Sequence, residues 1–207
     1  MPNMETILDL LRKTNAVYMN DHFVYTSGKH GSVYINKDAL YPHTDVASAV
    51  GALFAEKFKD SSIDVVVAPA LGGIVLSQWT AHHLSHLTGR EVLGVYTEKT
   101  PDKNQILTRG YDTLVAGKNI LIVEDTTMTG GSVKKVVDTV RAAGGNVVAV
   151  SAMINRDPVN VTSESLGAPF SPLGILEAEA FDADTCPLCK QNIPINMSVG
   201  KGKSAKL

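Results

Sequence analysis

The sequence predicts an α/β fold in which helices flank an open, mostly parallel, Rossmann-like sheet. Short apolar runs occur at residues 63–68, 120–123 and 146–154, and such runs are typical of strands buried on both faces. Helical apolar spacing follows the second run, in the valines between positions 133 and 140. Glycine-containing loops separate the first two runs from the helical patterns after them. This alternation of strand, loop and helix favours parallel strands joined by crossover helices.

The composition indicates one α/β domain, residues 1–207, with a sizeable core. The chain has 207 residues, of which 44% are hydrophobic, and a net charge of −2, which argues against a dedicated nucleic-acid binder. Its longest apolar stretch, residues 63–76, contains Asp64 and Pro69 and is too short to span a bilayer. The first five residues carry no targeting pattern. We therefore expect a soluble cytoplasmic protein with no membrane or nucleic-acid partner.

The same periodicities predict the remaining elements. Amphipathic spacing predicts helices at residues 5–13, 44–57 and 74–87, the second of them capped by Thr44 and Asp45. Alternating or continuous apolar patterns predict further strands at residues 22–25, 32–36, 91–97 and 173–180. The segment after these elements, residues 196–207, is expected to be disordered.

The chain's two cysteines, Cys186 and Cys189, form a C-x-x-C motif near the carboxyl end. Such a pair is half of a zinc site or a redox pair, but it is not a whole ligand set. Among the histidines at positions 82, 83 and 86, only His82 and His86 have i, i+4 spacing, and no acid joins them. We therefore expect reduced, packed cysteines, solvated or packed histidines, and no metal held by protein ligands alone.

The most informative stretch runs from residue 120 to 132, where a strand pattern ends in Glu124 and Asp125. A loop of hydroxyl residues and glycines follows, and then a helix begins. Main-chain N–H groups of such a loop, with the positive end of the helix, form an anion site. The loop lacks the lysine of a Walker motif and no G-x-G-x-x-G occurs, so nucleoside triphosphate and dinucleotide sites are disfavoured. Adjacent carboxylates beside an anion site suit a sugar phosphate.

This stretch resembles the signature of type I phosphoribosyltransferases, a hydrophobic strand, two acids and then T-T-G-G-S or close to it. The resemblance implies the fold of that family and a site for phosphoribosyl pyrophosphate, in which Glu124 and Asp125 hold the ribose hydroxyls. It implies that the loop binds the 5-phosphate, through Thr126, Thr127, Met128, Thr129, Gly130, Gly131 and Ser132. Met128 departs from the signature and is tolerable in a cradle built largely from main chain.

The segment from Ser27 to Asn36 resembles the hood of orotate phosphoribosyltransferases, in the pattern S-G-[KR]-x-x-x-x-Y-x-N. A small hood of residues 20–40 and 170–195 is implied, with a base pocket lined by Tyr34, Ile35 and Thr129. Many members carry a lysine before the Ser-Gly step, and Thr26 stands there in this chain. The C-P-L-C tail is similar to that of a subset of these sequences.

An arginine follows the last buried strand pattern, at the position where orotate-type sequences show a [D/N]-R step. The resemblance implies that Arg156 binds the orotate carboxylate as a bidentate partner. The alternative is a surface ion pair of Arg156 with Asp157 or a neighbour.

Two further loops are implicated in binding pyrophosphate. In the family, the loop after residues 63–68 grips this group, which implies roles for Ala70, Leu71, Gly72 and Gly73; the alternative is a glycine turn that serves packing alone. Residues 98–112 correspond to a flexible catalytic lid, whose cations here are Lys99, Lys103 and Arg109; the alternative is a surface loop with scattered charge.

The reaction implied is transfer of the 5-phosphoribosyl group from phosphoribosyl pyrophosphate to orotate, giving orotidine 5'-monophosphate for UMP biosynthesis. Lys99, Lys103, Arg109 and Asp125 would be the catalytic residues. A Mg²⁺ cofactor would be held mainly by the substrate's own phosphates. A homodimer is expected by analogy. The alternatives are transfer to a purine base and a non-enzymatic regulator that senses phosphoribosyl pyrophosphate.

Overall fold

The structure is a computed structural model that describes residues 6–25 and 27–200. Thr26, which the sequence comparison singled out, lies outside the described residues. The helices are α1 Ile7–Lys13, α2 Thr44–Phe58, α3 Gly72–Thr88, α4 Tyr111–Val115, α5 Gly131–Ala142, α6 Ser163–Leu166 and α7 Pro187–Lys190. The strands are β1 Val17–Val24, β2 His30–Ile35, β3 Val65–Pro69, β4 Leu93–Lys99, β5 Gln105–Ile106, β6 Asn119–Thr127, β7 Asn146–Asn155 and β8 Gly174–Ile175.

Six strands form one sheet in the order β5-β4-β3-β6-β7-β8, and only β5 runs antiparallel to its neighbour. The predicted α/β fold with a mainly parallel sheet is confirmed. The chain leaves β3 towards β4 on one side and leaves β6 towards β7 on the other. The carboxyl ends of β3 and β6 therefore meet at the point where the strand order reverses, which is where open α/β sheets bind ligands.

Alternate side chains of the central strands pack into two separate hydrophobic cores, one on each face of the sheet, which explains the continuous apolar runs. Val66 and Ala68 face the layer formed by α1, α2 and α3, whereas Val65 and Val67 face α5 on the opposite side. The α5 face consists of the predicted valines, all buried: Val133, Val136, Val137 and Val140. A strand sandwiched in this way has no face for polar residues until its carboxyl end.

The boundaries of several predicted elements differ in the structure. The strand ending at residue 123 extends to Thr127, because β6 continues to pair with β7 as far as Thr127 and Asn155. The strand predicted for residues 173–180 shortens to β8, because the chain then leaves the sheet and Phe181 pairs with His30. Helix α2 has His43 at its N-cap without a side-chain hydrogen bond, so the predicted cap at Thr44 and Asp45 is wrong.

Strands β1 and β2 form an antiparallel hairpin that stands apart from the main sheet and is the predicted hood. Its small core contains Phe23, Tyr25 and Val199. The disorder expected from residue 196 onward does not hold for residues 196–200, because Asn196 binds His22 and Asp21 while Val199 is buried. Residues 201–207 lie outside the described part of the chain.

Two groups of histidines have different surroundings. His83 hydrogen-bonds Ser48 across 2.9 Å and its ring stacks on Trp79, so the packing role predicted for this part of α3 is confirmed. Cys186 and Cys189 supply only half of a ligand set, as predicted, but the hairpin brings His22 and His30, which the sequence did not indicate, beside them. These histidines are 156 or more residues away along the chain, so spacing alone gave no sign of the contact.

No helix within residues 6–25 and 27–200 combines the length and the apolar character needed to cross a membrane.

Candidate active site

The paired acids lie at the carboxyl end of β6, where both side chains are buried. Asp125 Oδ2 accepts a short hydrogen bond from Lys37 Nζ and lies 3.5 Å from the Tyr41 hydroxyl. Glu124 Oε1 accepts from the Asp125 N–H at 2.9 Å. The acids are therefore held by a lysine and a tyrosine from the segment that follows the hood.

Burial and mutual repulsion set the electrostatics of this pair. Burial raises the pKa of Glu124, and the neighbouring Asp125 carboxylate raises it further. Burial alone would lower the pKa of Lys37, but Asp125 and Glu124 outweigh it, so the pKa of Lys37 lies above its ordinary value. The pKa of Tyr41 is also raised, by burial first and then by Asp125. Both donors therefore keep their protons at neutral pH.

The amino end of α3 approaches the acids very closely. A Cβ at Gly72 would overlap Asp125 Oδ2 and lie 3.1 Å from Lys37 Nζ, so only glycine fits at this position. Gly73 instead packs against β3, because a Cβ there would lie 2.7 Å from the Ala68 Cβ. The first glycine thus serves the site and the second serves strand–helix packing.

A cavity of about 240 Å³ opens above the acids, and seven of the thirteen residues predicted to bind phosphoribosyl pyrophosphate line it. The residues that line it are Lys37, Pro69, Ala70, Leu71, Gly72, Lys99, Gln105, Glu124, Asp125, Thr126 and Ser132. Loop 70–72, the paired acids, both ends of the cradle and one lid lysine thus meet at the switch point of the sheet.

The cradle has the geometry of an anion site. Gly130 has a φ of 71°, in the left-handed region, and it turns the chain from β6 into α5. Thr129, Gly131 and Ser132 are exposed, whereas Thr127 is buried in the strand. The N–H groups in the first turn of α5 precede the helical hydrogen-bond ladder, and their positive end faces the cavity.

A second cavity, of about 480 Å³, adjoins the cradle through Met128 and Thr129. Its remaining walls come from the hood residues Ser27 and Lys29, from residues 156–159 and from residues 177–180. The two cavities share the cradle, so a ligand could extend from one into the other.

Arg156 stands in the wall of this second cavity. Its guanidinium carbon lies 4.7 Å from the centre of the Tyr25 ring, a cation–π contact. Its Nε and Nη2 atoms are buried without a hydrogen-bond partner within residues 6–25 and 27–200. The carboxylate of Asp157 instead accepts from the backbone and side chain of Asn160, so the alternative ion pair of Arg156 with Asp157 does not form. Two adjacent donor nitrogens match a bidentate carboxylate.

Two residues predicted for the base pocket lie elsewhere. Tyr34 packs on Phe23 and Tyr18 in the hood core, with ring centres 5.6 Å and 6.4 Å away. Ile35 packs against the main core. Thr129 does line the cavity, but the aromatic ring brought to Arg156 belongs to Tyr25.

The lid is a folded hairpin, and of its three predicted cations only Lys99 lines the cavity, beside Gln105 of the same hairpin. Arg109 lies outside, in an ion pair with Glu98 at 2.8 Å, and its guanidinium carbon lies 6.0 Å from the centre of the Tyr96 ring. Lys103 occupies the exposed turn, where its carbonyl accepts from Lys135 Nζ. The structure does not bring Lys103 and Arg109 together with the paired acids.

Sequence reasoning missed Lys37, Tyr41, Tyr25 and Lys29. A signal existed for Lys37, since it directly follows Asn36, the last residue of the hood motif. No local signal marked Tyr41 or Tyr25, because each acts through a contact far away in sequence.

Comparison with known proteins agrees with this geometry. The phosphoribosyl transferase domain family matches residues 36–158. An orotate phosphoribosyltransferase from Caldanaerobacter subterraneus subsp. tengcongensis is 32% identical over 191 residues, which are 92% of this chain and 94% of the relative.

Solved structures show the same fold. An orotate phosphoribosyltransferase from Mycobacterium tuberculosis H37Rv superposes with a TM-score of 0.64 at 22% identity, covering 82% of this chain and 96% of that one. An adenine phosphoribosyltransferase from Saccharomyces cerevisiae reaches 0.61 at 16% identity, covering 80% and 99%. The fold therefore does not distinguish the acceptor base. The family match and the near full-length relative do identify the protein: this chain belongs to the phosphoribosyltransferase family, in its orotate phosphoribosyltransferase branch.

Proposed function

We propose that this enzyme transfers the 5-phosphoribosyl group from phosphoribosyl pyrophosphate to orotate, giving orotidine 5'-monophosphate and pyrophosphate in UMP biosynthesis. The observation that carries the proposal is Arg156, which lines the cavity next to the cradle and whose buried Nε and Nη2 atoms have no hydrogen-bond partner among the described residues. Orotate carries a carboxylate that these nitrogens can bind as a pair, and purine bases carry none. Leaving these donors unpaired costs about 1–3 kcal/mol, and a carboxylate compensates them more strongly than the neutral acceptors of a purine.

The ribose and its 5-phosphate fit the smaller cavity. Glu124 and Asp125 accept hydrogen bonds from the ribose 2- and 3-hydroxyls, and the cradle from Thr126 to Ser132 binds the 5-phosphate. The raised pKa of Glu124 reflects buried acids that lack enough donors in the free protein. The two ribose hydroxyls supply the missing hydrogen-bond donors. The acids therefore favour a diol over another anion, which would bring more negative charge and no donors.

The leaving group faces the loop after β3. Residues 70–72, at the amino end of α3, line the cavity together with Lys99, so the positive end of that helix borders the leaving group. Lys103 and Arg109 act only after the lid moves, since both lie away from the acids here. Arg109 can leave Glu98 readily, because an exposed ion pair contributes about 0–1 kcal/mol.

Mg²⁺ suits the donor set of this cavity. Among the described residues that line it, the carboxylates are Glu124 and Asp125, which are hard oxygen donors. Asp125 already pairs with Lys37, so these residues do not form a metal cage by themselves and the substrate's oxygens would supply most ligands. When bound, Mg²⁺ would offset charge on the pyrophosphate.

The reaction forms a bond from an orotate ring nitrogen to the anomeric carbon and breaks the bond from that carbon to pyrophosphate, which leaves with the electron pair. The proton of that ring nitrogen is released, to the leaving pyrophosphate or to solvent. Positive charge develops on the ribose and negative charge on the leaving group. Asp125 and Glu124 stabilise the former, and Lys99 with the lid cations stabilises the latter. Arg156 fixes the orientation of the base, and alignment of this kind can contribute about 7–11 kcal/mol.

We further propose that the enzyme is a cytoplasmic homodimer. A homodimer would let the lid cations, which lie outside their own cavity, reach the partner's site. Free Cys186 and Cys189 suit a reducing compartment, which supports a cytoplasmic location.

The proposed activity predicts that pyrophosphate is released only with orotate. The chain is incubated with phosphoribosyl pyrophosphate, Mg²⁺ and one of orotate, adenine, guanine, hypoxanthine or uracil, and pyrophosphate release is measured. Orotate should support turnover and the purines should not, because only orotate offers Arg156 a carboxylate. Faster release with a purine would refute the acceptor assignment, and no release with any base would refute the enzymatic function.

Replacing Arg156 should affect one substrate selectively. R156A should raise the KM for orotate by about 10- to 100-fold, which corresponds to the loss of a charge-assisted hydrogen bond. The KM for phosphoribosyl pyrophosphate should change little. R12A serves as the control, since Arg12 forms only a surface ion pair with Asp9. Equal increases in both KM values would show that Arg156 does not contact the base.

Glu124 should oppose stability in the free enzyme. Because its folded pKa is raised, the folded state retains a proton that the unfolded state has lost, so stability falls as pH rises from the unfolded pKa towards the folded one. E124Q should therefore increase the free energy of unfolding at pH 8 on the order of 1–3 kcal/mol, which raises the thermal midpoint by a few degrees. The increase should be smaller at pH 5.

Thermal unfolding at pH 5 to 8 measures this effect. E56Q is the matched control, because Glu56 lies on the surface and pairs only with Lys59. A thermal midpoint for E124Q at or below that of the native enzyme at pH 8 would contradict the repulsion described for the buried pair.

Removing both charges should weaken ribose binding and turnover. The double variant E124Q/D125N should lower kcat/KM for phosphoribosyl pyrophosphate by about 100-fold or more, since each lost charge-assisted hydrogen bond costs about 1.5–3 kcal/mol. Steady-state kinetics provide the measurement, and E56Q/D60N, on the surface of α2 and just beyond it, is the control. Native kinetics in E124Q/D125N would remove the ribose assignment.

A further inference from the structure

Four side chains with metal-ligating atoms meet between the hood and the carboxyl-terminal segment: His22 on β1, His30 on β2, and Cys186 and Cys189 around α7. We call them the cysteine–histidine cluster. One ligand atom from each lies within 4.8 Å of the other three. The cluster contributes to neither cavity of the active site.

The distances resemble those of a tetrahedral site. His22 Nε2 lies 3.8 Å from Cys186 Sγ and 3.7 Å from Cys189 Sγ, and His30 Nδ1 lies 3.3 Å from Cys189 Sγ. Bonds of about 2.0–2.1 Å to nitrogen and 2.3 Å to sulfur, at tetrahedral angles, imply about 3.5 Å between nitrogen and sulfur. The two ring nitrogens are 2.8 Å apart. A bound ion would widen that edge to about 3.3 Å on the same bond lengths.

The cluster is shielded and its histidine tautomer is fixed. Cys186 is fully buried, and His22 and His30 are 1% and 7% exposed. His22 Nδ1 lies 2.7 Å from the Ile193 carbonyl, which can only accept, so Nδ1 carries the proton and Nε2 presents a lone pair to the cluster. A carbonyl holding the outer nitrogen of a histidine is a recurrent support for metal ligands.

We propose that His22, His30, Cys186 and Cys189 bind one zinc ion that fastens the carboxyl-terminal segment to the hood. Two thiolates and two imidazoles are the donor set of closed structural zinc sites, whereas Mg²⁺ and Ca²⁺ require oxygen ligands. Four protein ligands leave no open position, so the ion does not take part in chemistry. On binding, each thiol releases its proton to solvent, and no electron is transferred.

The position of the ion ties it to base recognition, a consequence that rests on the proposed function. His30 follows Lys29, which lines the larger cavity, and its backbone pairs with Phe181 just beyond residues 177–180 of the same wall. Zinc would therefore hold two walls of the base cavity together. Its loss should weaken orotate binding more than binding of phosphoribosyl pyrophosphate.

The direct test is the metal content of the full chain, expressed without a metal-binding tag. Elemental analysis should find about one zinc per chain, and X-ray absorption should find two sulfur and two nitrogen neighbours. C189S and H30N should lose most of the zinc. H86N, which replaces an exposed histidine on α3, should retain it. C189H, which restores a ligand, should retain more zinc than C189S.

Stability measurements cover the case in which C189S fails to fold. Removing zinc from the native chain with a chelator should lower its thermal midpoint, and adding zinc back should restore it. Three results would overturn the proposal: a chain that stays metal-free after incubation with zinc, equal zinc content in C189S and the native chain, or a Cys186–Cys189 disulfide in protein purified under reducing conditions. Metal content does not depend on the acceptor base, so a failed activity assay leaves this test intact.

Discussion

Two carboxylates buried side by side at the end of β6 constrain the surrounding structure. Burying Glu124 beside Asp125 is unfavourable unless donors compensate, and Lys37 and Tyr41 supply part of that compensation. Both donors lie in the segment between the hood and α2, so the acids also hold the base of the hood against the sheet. Glu124 is left with too few hydrogen-bond donors, and a ligand that brings hydroxyl groups would supply them. Instability of the free site and affinity for a diol thus have the same cause.

Sequence reasoning succeeded where the determining interactions are local and failed where they are distant. The strand, acids, cradle and helix from residue 120 to 142 follow from neighbours along the chain, and the structure contains them in that order. Lys37 reaches Asp125 across 88 residues, and although each lies in or beside a recognisable motif, nothing in the sequence pairs the two. In the hood, the face that each side chain takes depends on strand register, which is irregular between Met19 and Phe23. Tyr25 rather than Tyr34 therefore meets Arg156.

The positions of the lid cations could not be predicted from the sequence, for a different reason. The sequence identifies its cations, but their positions depend on a balance of weak interactions that changes when substrate binds. Arg109 is exposed and paired with Glu98, an arrangement of small net stability. Pyrophosphate carries more negative charge than one carboxylate and would be screened less inside a closed cavity. The same arginine can therefore rest outside the site and transfer to the leaving group without a large energetic penalty.

Base recognition depends on a hairpin that is separate from the main sheet and that packs against the main core at its open end, through Val17 and Ile35. The hood is a two-stranded hairpin whose own core is a few side chains around Phe23, and isolated hairpins of this size are marginally stable in water. Tyr25, which stacks on Arg156, and Lys29, which lines the larger cavity, both belong to it. Such a hairpin needs additional anchors if it is to hold those side chains in place. Lys37 anchors one end through Asp125, and the cysteine–histidine cluster anchors the other through the carboxyl-terminal segment. Acceptor specificity in this enzyme is thus coupled to contacts that never touch the acceptor.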